Sequence, residues 1–134
     1  MPTINGLDIL IRPPEPADIN FLLSTFLKGL FYGSKFFGMI DQEAYFTNYE
    51  KFIKQLMIKS TVQIACLADD KDVILAYCIY KDNVIHFSFT KKSYRKLGIA
   101  KLLYPSGIDT CSHITDSGDS IRKKLGLIFN PFSI

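Results

Sequence analysis

Cysteine is scarce in this chain of 134 residues, and its three cysteines, Cys66, Cys78 and Cys111, show no close pairing spacing. That excludes a disulfide framework and a zinc knuckle, and no metal site is expected. The odd count fits a reducing compartment, so the expected location is cytoplasmic. No basic region followed by an apolar one opens the chain, so no secretory signal is expected. Long apolar runs are also missing. The greasiest stretch, Ile19 to Ile40, is broken by Lys28, Gly29, Gly33, Ser34 and Lys35, which argues against a membrane-spanning helix. There is no internal repeat and no low-complexity segment. The RNP, zinc-finger and helix-turn-helix patterns of nucleic-acid binders are absent too, which leaves a nucleic-acid partner the weakest of the readings. Excess charge is lacking as well: a net charge of +3 with 48% hydrophobic residues rules out disorder. What remains is one domain over residues 1–134, large enough to bury roughly two-thirds of its unfolded surface.

The charge is unevenly spread. Residues 1–83 carry eight Lys/Arg against ten Asp/Glu, whereas residues 84–134 carry eight against three. The positive half concentrates its charge in Lys91, Lys92, Arg95, Lys96 and Lys101, and again in Arg122, Lys123 and Lys124. Such a bias points either to an anionic ligand or to a solvated basic face.

Local patterns predict the elements. Leu7 to Arg12 reads as a strand ended by Pro13, Pro14 and Pro16, with Asp18 as a helix cap. Ile19, Leu22, Leu23, Phe26, Leu27 and Leu30 follow at helical spacing, and an aromatic link runs from Phe31 to Asp41. A second helix spans about Gln42 to Lys59, with the stripe Tyr45, Phe46, Tyr49, Phe52, Ile53, Leu56 and Met57. Three strands then form a meander, Thr61–Ala68, Val73–Tyr80 and Val84–Thr90, turned at Asp69–Asp72 and Lys81–Asn83. A third helix starts near Gly98. Thr110–Thr115 is strand-like, Asp119–Leu125 a short helix, and Leu127–Phe132 a last strand. The order β-α-α-β-β-β-α-β-α-β predicts an α+β (mixed α/β) domain around one central sheet.

One segment carries chemistry. After the strand Val84–Thr90 come Lys91 to Leu103, a basic loop with Gly98 that leads into a helix. Unpaired amides at a helix start, the helix dipole and small residues such as Gly98 and Ala100 suit a phosphate. The run Arg95-Lys96-Leu97-Gly98-Ile99-Ala100 resembles the Arg/Gln-x-x-Gly-x-Gly/Ala signature of the GNAT superfamily of N-acyltransferases. The order of elements and the opening Ile11-Arg12-Pro13…Asp18 are similar to that family as well. The resemblance implies a GNAT-like mixed sheet and transfer of an acetyl group from acetyl-coenzyme A (acetyl-CoA) to a primary amine of an unknown acceptor, small molecule or protein. By position it implies that Phe87, Ser88, Phe89 and Thr90 pair with the pantetheine arm. It also implies that Arg95, Lys96, Leu97, Gly98, Ile99, Ala100 and Lys101 hold the pyrophosphate. The arm would lie where Val84–Thr90 and Thr110–Thr115 splay apart, with the acceptor entering over the first two helices.

The catalytic groups depart from that family. Its members often carry a glutamate base in the strand before the signature, but Val84 to Thr90 holds no carboxylate. His86 is the strand's only side chain that titrates near neutrality, on a face shared with Val84, Ser88 and Thr90; the alternative is a structural histidine. A tyrosine acid is frequent in the last helix, where this chain has Arg122, which cannot donate a proton near neutral pH but stabilises an anion. Tyr104 is a substitute acid or a packing residue. Ser112 and His113, on the candidate splayed strand, are hydrogen-bonding candidates or a surface strand end. Cys111 reads as a small buried apolar residue. Phe31, Tyr32, Phe36 and Phe37 exceed the obvious needs of a core and suggest an aromatic acceptor wall, a protein-binding surface or a second small cluster. His86, His113 and Arg122 are thus the catalytic candidates. The competing expectation is a GNAT-like scaffold reduced to a coenzyme A-binding or protein-interaction module. A homodimer is an open arrangement, and no membrane partner is expected.

Overall fold

The computed structural model describes residues 2–134, so Met1 of the expected domain 1–134 lies outside the described residues. A hairpin of β1 (Thr3–Ile4) and β2 (Leu7–Arg12) opens the chain, turned by Asn5 and Gly6, both at positive φ. Helices α1 (Ile19–Gly33), α2 (Lys35–Gly38) and α3 (Gln42–Lys59) follow. The meander is β3 (Thr61–Leu67), β4 (Asp70–Lys81) and β5 (Val84–Thr90). After it come α4 (Ile99–Leu103), β6 (Thr110–Cys111), α5 (Asp116–Leu125) and β7 (Ile128–Phe129). All seven strands lie in one sheet in chain order, antiparallel from β1 to β5 and parallel from β5 to β7. This is the expected mixed α+β architecture.

Two apolar layers hold the sheet. The stripe Leu22, Leu23, Phe26, Leu27 and Leu30 of α1 is buried with Tyr45, Ile53 and Leu56 of α3 against Ile64, Tyr77, Ile79 and Phe87. On the other layer Ile99 and Leu103 of α4 pack with Ile9, Leu75, Cys78 and Cys111. Burying each such side chain stabilises the fold by about 1.5–3 kcal/mol before entropy is counted. Gly29 lets α1 close onto β5: a Cβ there would stand 2.9 Å from Phe87 Cζ. α3 is capped by Asp41, whose carboxylate accepts the Ala44 N–H at 3.0 Å.

Several boundaries differ from the sequence reading, each for a local reason. Asp18 precedes α1 but does not cap it. Its carboxylate is taken by Arg12 at 2.7 Å and by the Glu15 N–H at 2.7 Å, forming a buried ion pair. Asp70 already pairs with Leu67, so the turn shrinks to Ala68 and Asp69. The link from Phe31 to Asp41 is largely helical, as the end of α1 and all of α2. α5 begins at Asp116 rather than Asp119, because Thr115 caps it by accepting the Gly118 N–H at 3.0 Å. The strand expected over Thr110–Thr115 pairs only at Thr110 and Cys111, and the last strand contracts to Ile128–Phe129. Phe31 and Phe37 pack on the main core, while Tyr32 and Phe36 lie exposed.

Candidate active site

β5 and β6 run together for only two pairs, Val84 with Thr110 and Ile85 with Cys111. One more bond follows, from the Ser112 N–H to the Ile85 carbonyl at 3.0 Å. Beyond it β5 stays on β4 as far as Thr90, while the chain after β6 leaves the sheet. The edge of β5 that faces away from β4 therefore has no strand partner after Ile85 among the described residues. A bulge sits at the same point: Tyr80 opposes Ile85 and Ile79 opposes Phe87, so His86 is the extra residue. The bulge breaks the expected common face of Val84, His86, Ser88 and Thr90. Ile85 joins the α4 layer and Phe87, two residues on, joins the α1 layer.

The opening forms a cleft of about 60 Å³. His86, Phe87 and Ser88 line one wall, His113 and Ile114 the other, with Tyr104, Ile121 and Arg122 around them. None of the residues of α5 is buried, so this helix is the least anchored wall of the cleft.

His86, His113 and two further side chains form a hydrogen-bonded chain. His86 Nδ1 lies 2.7 Å from Ser112 Oγ, Ser112 Oγ lies 2.8 Å from His113 Nδ1, and His113 Nε2 lies 2.6 Å from the Tyr49 hydroxyl. His86 and Ser112 are each only 2% exposed, so Ser112 is no surface strand end. The His113 ring sits among Phe26, Phe37, Tyr49 and Phe52. Burial there, with a smaller contribution from His86, pushes its pKa down to about 4. Burial also lowers the pKa of His86, helped by the positive charge of Lys81. Burial raises that of Tyr49. All four side chains are thus neutral at pH 7.

The basic loop is built differently. A tight turn at Lys92–Tyr94 leads to Arg95, whose Nε donates to the Thr90 carbonyl at 3.0 Å. Lys96 and Gly98 both adopt positive φ, and a Cβ on Gly98 would meet nothing within 4 Å, so the backbone there is open to a ligand. Arg95, Lys96 and Lys101 are exposed. Ile99 is buried in the α4 layer and Leu97 packs partly against it, so only their backbone groups face outward chemistry. Phe87 stacks on Phe26 with centroids 4.3 Å apart, and Phe89 stacks on Tyr77. Their rings serve the core.

Arg122 lines the cleft, but its Nε donates to Asp119 at 2.8 Å, and Lys123 reaches the other oxygen of that carboxylate at 3.4 Å. Tyr104 lines the cleft as well, with its hydroxyl 3.5 Å from Ser88 Oγ and its pKa raised by burial. All three cysteines are buried and unpaired, Cys111 included. By spacing, Tyr49 belongs to the helical stripe of α3. Nothing in its spacing separates it from its core neighbours, and only the fold brings its hydroxyl to His113.

No family model and no curated protein matches the sequence. Solved structures do match in shape. YycN of Bacillus subtilis, assigned as an acetyltransferase, aligns over 95% of this chain and 96% of its own at 14% identity, with a TM-score of 0.61. A Clostridium acetobutylicum protein described as a predicted acetyltransferase and solved with acetyl-CoA aligns over 95% and 94% at 14% identity, with a TM-score of 0.58. A GCN5-related N-acetyltransferase of Rhodopseudomonas palustris aligns over 94% and 69% at 16% identity, with a TM-score of 0.51. The chain spans 61% of the length of a GNAT-family acetyltransferase from Staphylococcus aureus. The chain therefore has the fold of these acetyltransferase structures, the GNAT fold, around its seven-stranded sheet.

Proposed function

We propose that this chain is an N-acetyltransferase that moves an acetyl group from acetyl-CoA to a primary amine by direct attack. The observation that carries the reading is the succession of three features along β5, the last joined to its end by the Arg95–Thr90 contact. These are the splay of β5 from β6, the bulge at His86 and the open, basic Arg95–Lys101 loop. The free edge of β5 from Phe87 to Thr90 offers backbone groups to the amide-bearing arm, and the loop offers amides and cations to a pyrophosphate. The Clostridium acetobutylicum protein of the same fold, solved with acetyl-CoA, supports the choice of co-substrate.

In this reading the amine nitrogen attacks the thioester carbonyl, the new N–C bond forms and the C–S bond breaks. His86, neutral and at the wall of the cleft, takes the proton released by nitrogen. Arg122 stabilises the thiolate as it leaves, once its contact with Asp119 is shared or broken. Tyr104 stands at the same wall as a neutral hydroxyl able to protonate it. The absence of a carboxylate from β5, with Arg122 tied to Asp119, favours a second reading, a coenzyme-binding or protein-interaction module that no longer turns over.

The two readings separate on binding and transfer. Acetyl-CoA should raise the melting temperature, because a ligand selective for the folded state stabilises it by mass action. Gly98→Asp places a side chain and a negative charge at the open loop in a left-handed backbone, and it should abolish that rise. A folded Gly98→Asp protein with unchanged affinity would move the site elsewhere. Mass spectrometry of a pool of candidate amines incubated with acetyl-CoA then decides for the enzyme if any gains an acetyl group, and for the module if none does.

A further inference from the structure

The two histidines of the site are joined through one hydroxyl, and a second hydroxyl ends the chain on α3. We propose that His86, Ser112, His113 and Tyr49 form a single proton path through the opening between β5 and β6, taking up the amine proton in the cleft and releasing it on the side of α3. The inference rests on the acetyltransferase reading for the source of that proton. The path itself rests on the three contacts of 2.6–2.8 Å between residues of β5, the segment after β6, and α3.

The ends are suited to it. His86 Nε2 has no protein partner among the described residues, and His86 lines the cleft. Tyr49 is half-buried on α3. Between them the Ser112 hydroxyl has one proton to give. It donates to one histidine Nδ1 and must accept from the other, so the path has two consistent directions. In the first, His86 carries its proton on Nδ1 and His113 on Nε2. In the second, Tyr49 donates to His113 Nε2, His113 donates from Nδ1 to Ser112, and Ser112 donates to His86 Nδ1, which leaves the His86 proton on Nε2.

Moving from the first direction to the second transfers one proton. The nitrogen of the amine loses its proton to His86 Nε2, and the Nδ1 proton of His86 passes to Ser112 Oγ. The Ser112 proton passes to His113 Nδ1, the Nε2 proton of His113 passes to the Tyr49 oxygen, and the hydroxyl proton of Tyr49 passes to water. Every side chain on the path gains one proton and loses one, and none keeps a charge. A lone buried histidine would have to hold an imidazolium in apolar surroundings, which burial penalises. The path removes that penalty and so substitutes for a carboxylate that β5 lacks. The reverse shift, with water supplying the proton at Tyr49 and removing it at His86, resets the path.

Nitrogen-15 NMR of the imidazole rings in the free protein tests this without any acceptor. A shared hydroxyl requires opposite tautomers: the fraction of His86 protonated on Nδ1 should equal the fraction of His113 protonated on Nε2. Tyr49→Phe, which touches His113 but not His86, should change the tautomer ratio of both rings by about twofold or more. Ser112→Ala should make the two rings independent, and Ser112→Thr, which keeps a hydroxyl, should restore the match. Like tautomers in the native protein, or a His86 ratio unmoved by Tyr49→Phe, would overturn the path, and Tyr49→Phe keeps the test open should Ser112→Ala not fold. If acetyl-CoA fails to bind, the acetyltransferase reading falls while these ring measurements still stand or fall by themselves.

Discussion

His113 is the residue whose setting has the largest consequence for stability against pH. Its aromatic surroundings hold its pKa at about 4, against 6.5 for a free histidine. As pH falls below 6.5 the unfolded chain takes up this proton first, and the folded chain follows only near 4. Stability must therefore decline across that window, by on the order of 3 kcal/mol from this ring alone. His86, also shifted down, acts in the same direction. The Asp18 carboxylate, held low by Arg12, adds to the loss at lower pH, since protonation breaks the buried pair. Urea unfolding at pH 7 and pH 5 measures the decline. In His113→Leu the absolute stability will differ, but the slope between the two pH values should flatten. An equal slope in that variant would mean the ring is solvated in the native protein.

At the scale of elements, what the sequence revealed depended on whether the cause was local. The meander from Thr61 to Thr90 was legible because its strands alternate with short polar turns, and α3 because Asp41 caps a regular apolar stripe. Asn5-Gly6 is an equally local hairpin signal. The splay was not legible: Thr110 to Thr115 has strand-forming composition throughout, and pairing ends at Cys111 because the chain leaves β5 there. The bulge at His86 exists only opposite Ile79 and Tyr80. Ser112 meets His86 across 26 residues, so the partner that decides the role of that histidine had no signature near it. Arg122 lines the cleft, and its bond to Asp119 adds a requirement. Arg122→Ala should slow acetyl transfer more than it weakens binding of acetyl-CoA, because the charge acts mainly as thiolate develops. Equal losses in both would make it a binding residue.

The whole molecule has an uneven build. One layer joins α1 and α3 to the sheet through a continuous aromatic and aliphatic core, whereas α5 buries none of its residues. Stability concentrates in the first layer, and the low-stability end of the molecule is the wall of the cleft. Acid and base groups are likewise divided along the sequence, with the exposed cations of the loop from Arg95 to Lys101 in the same half as that wall. Attraction of a polyphosphate to such a loop should weaken as salt rises, over a screening length of about 8 Å at physiological ionic strength.

A cleft walled by a helix with no buried residue also has a kinetic signature. If the ligand arm enters only when the cleft opens, arrival of the ligand and its final seating are separate events. The observed rate in a stopped-flow experiment should then rise with acetyl-CoA concentration and level off, at the frequency with which α5 moves aside. Apparent affinity falls short of the intrinsic one by the fraction of molecules that stand open. A substitution that loosens α5, such as Thr115→Ala at its cap, should raise that plateau, by a few-fold for the roughly 1 kcal/mol a cap contributes. A rate that stays linear to the highest concentration would mean the wall yields as fast as the ligand comes.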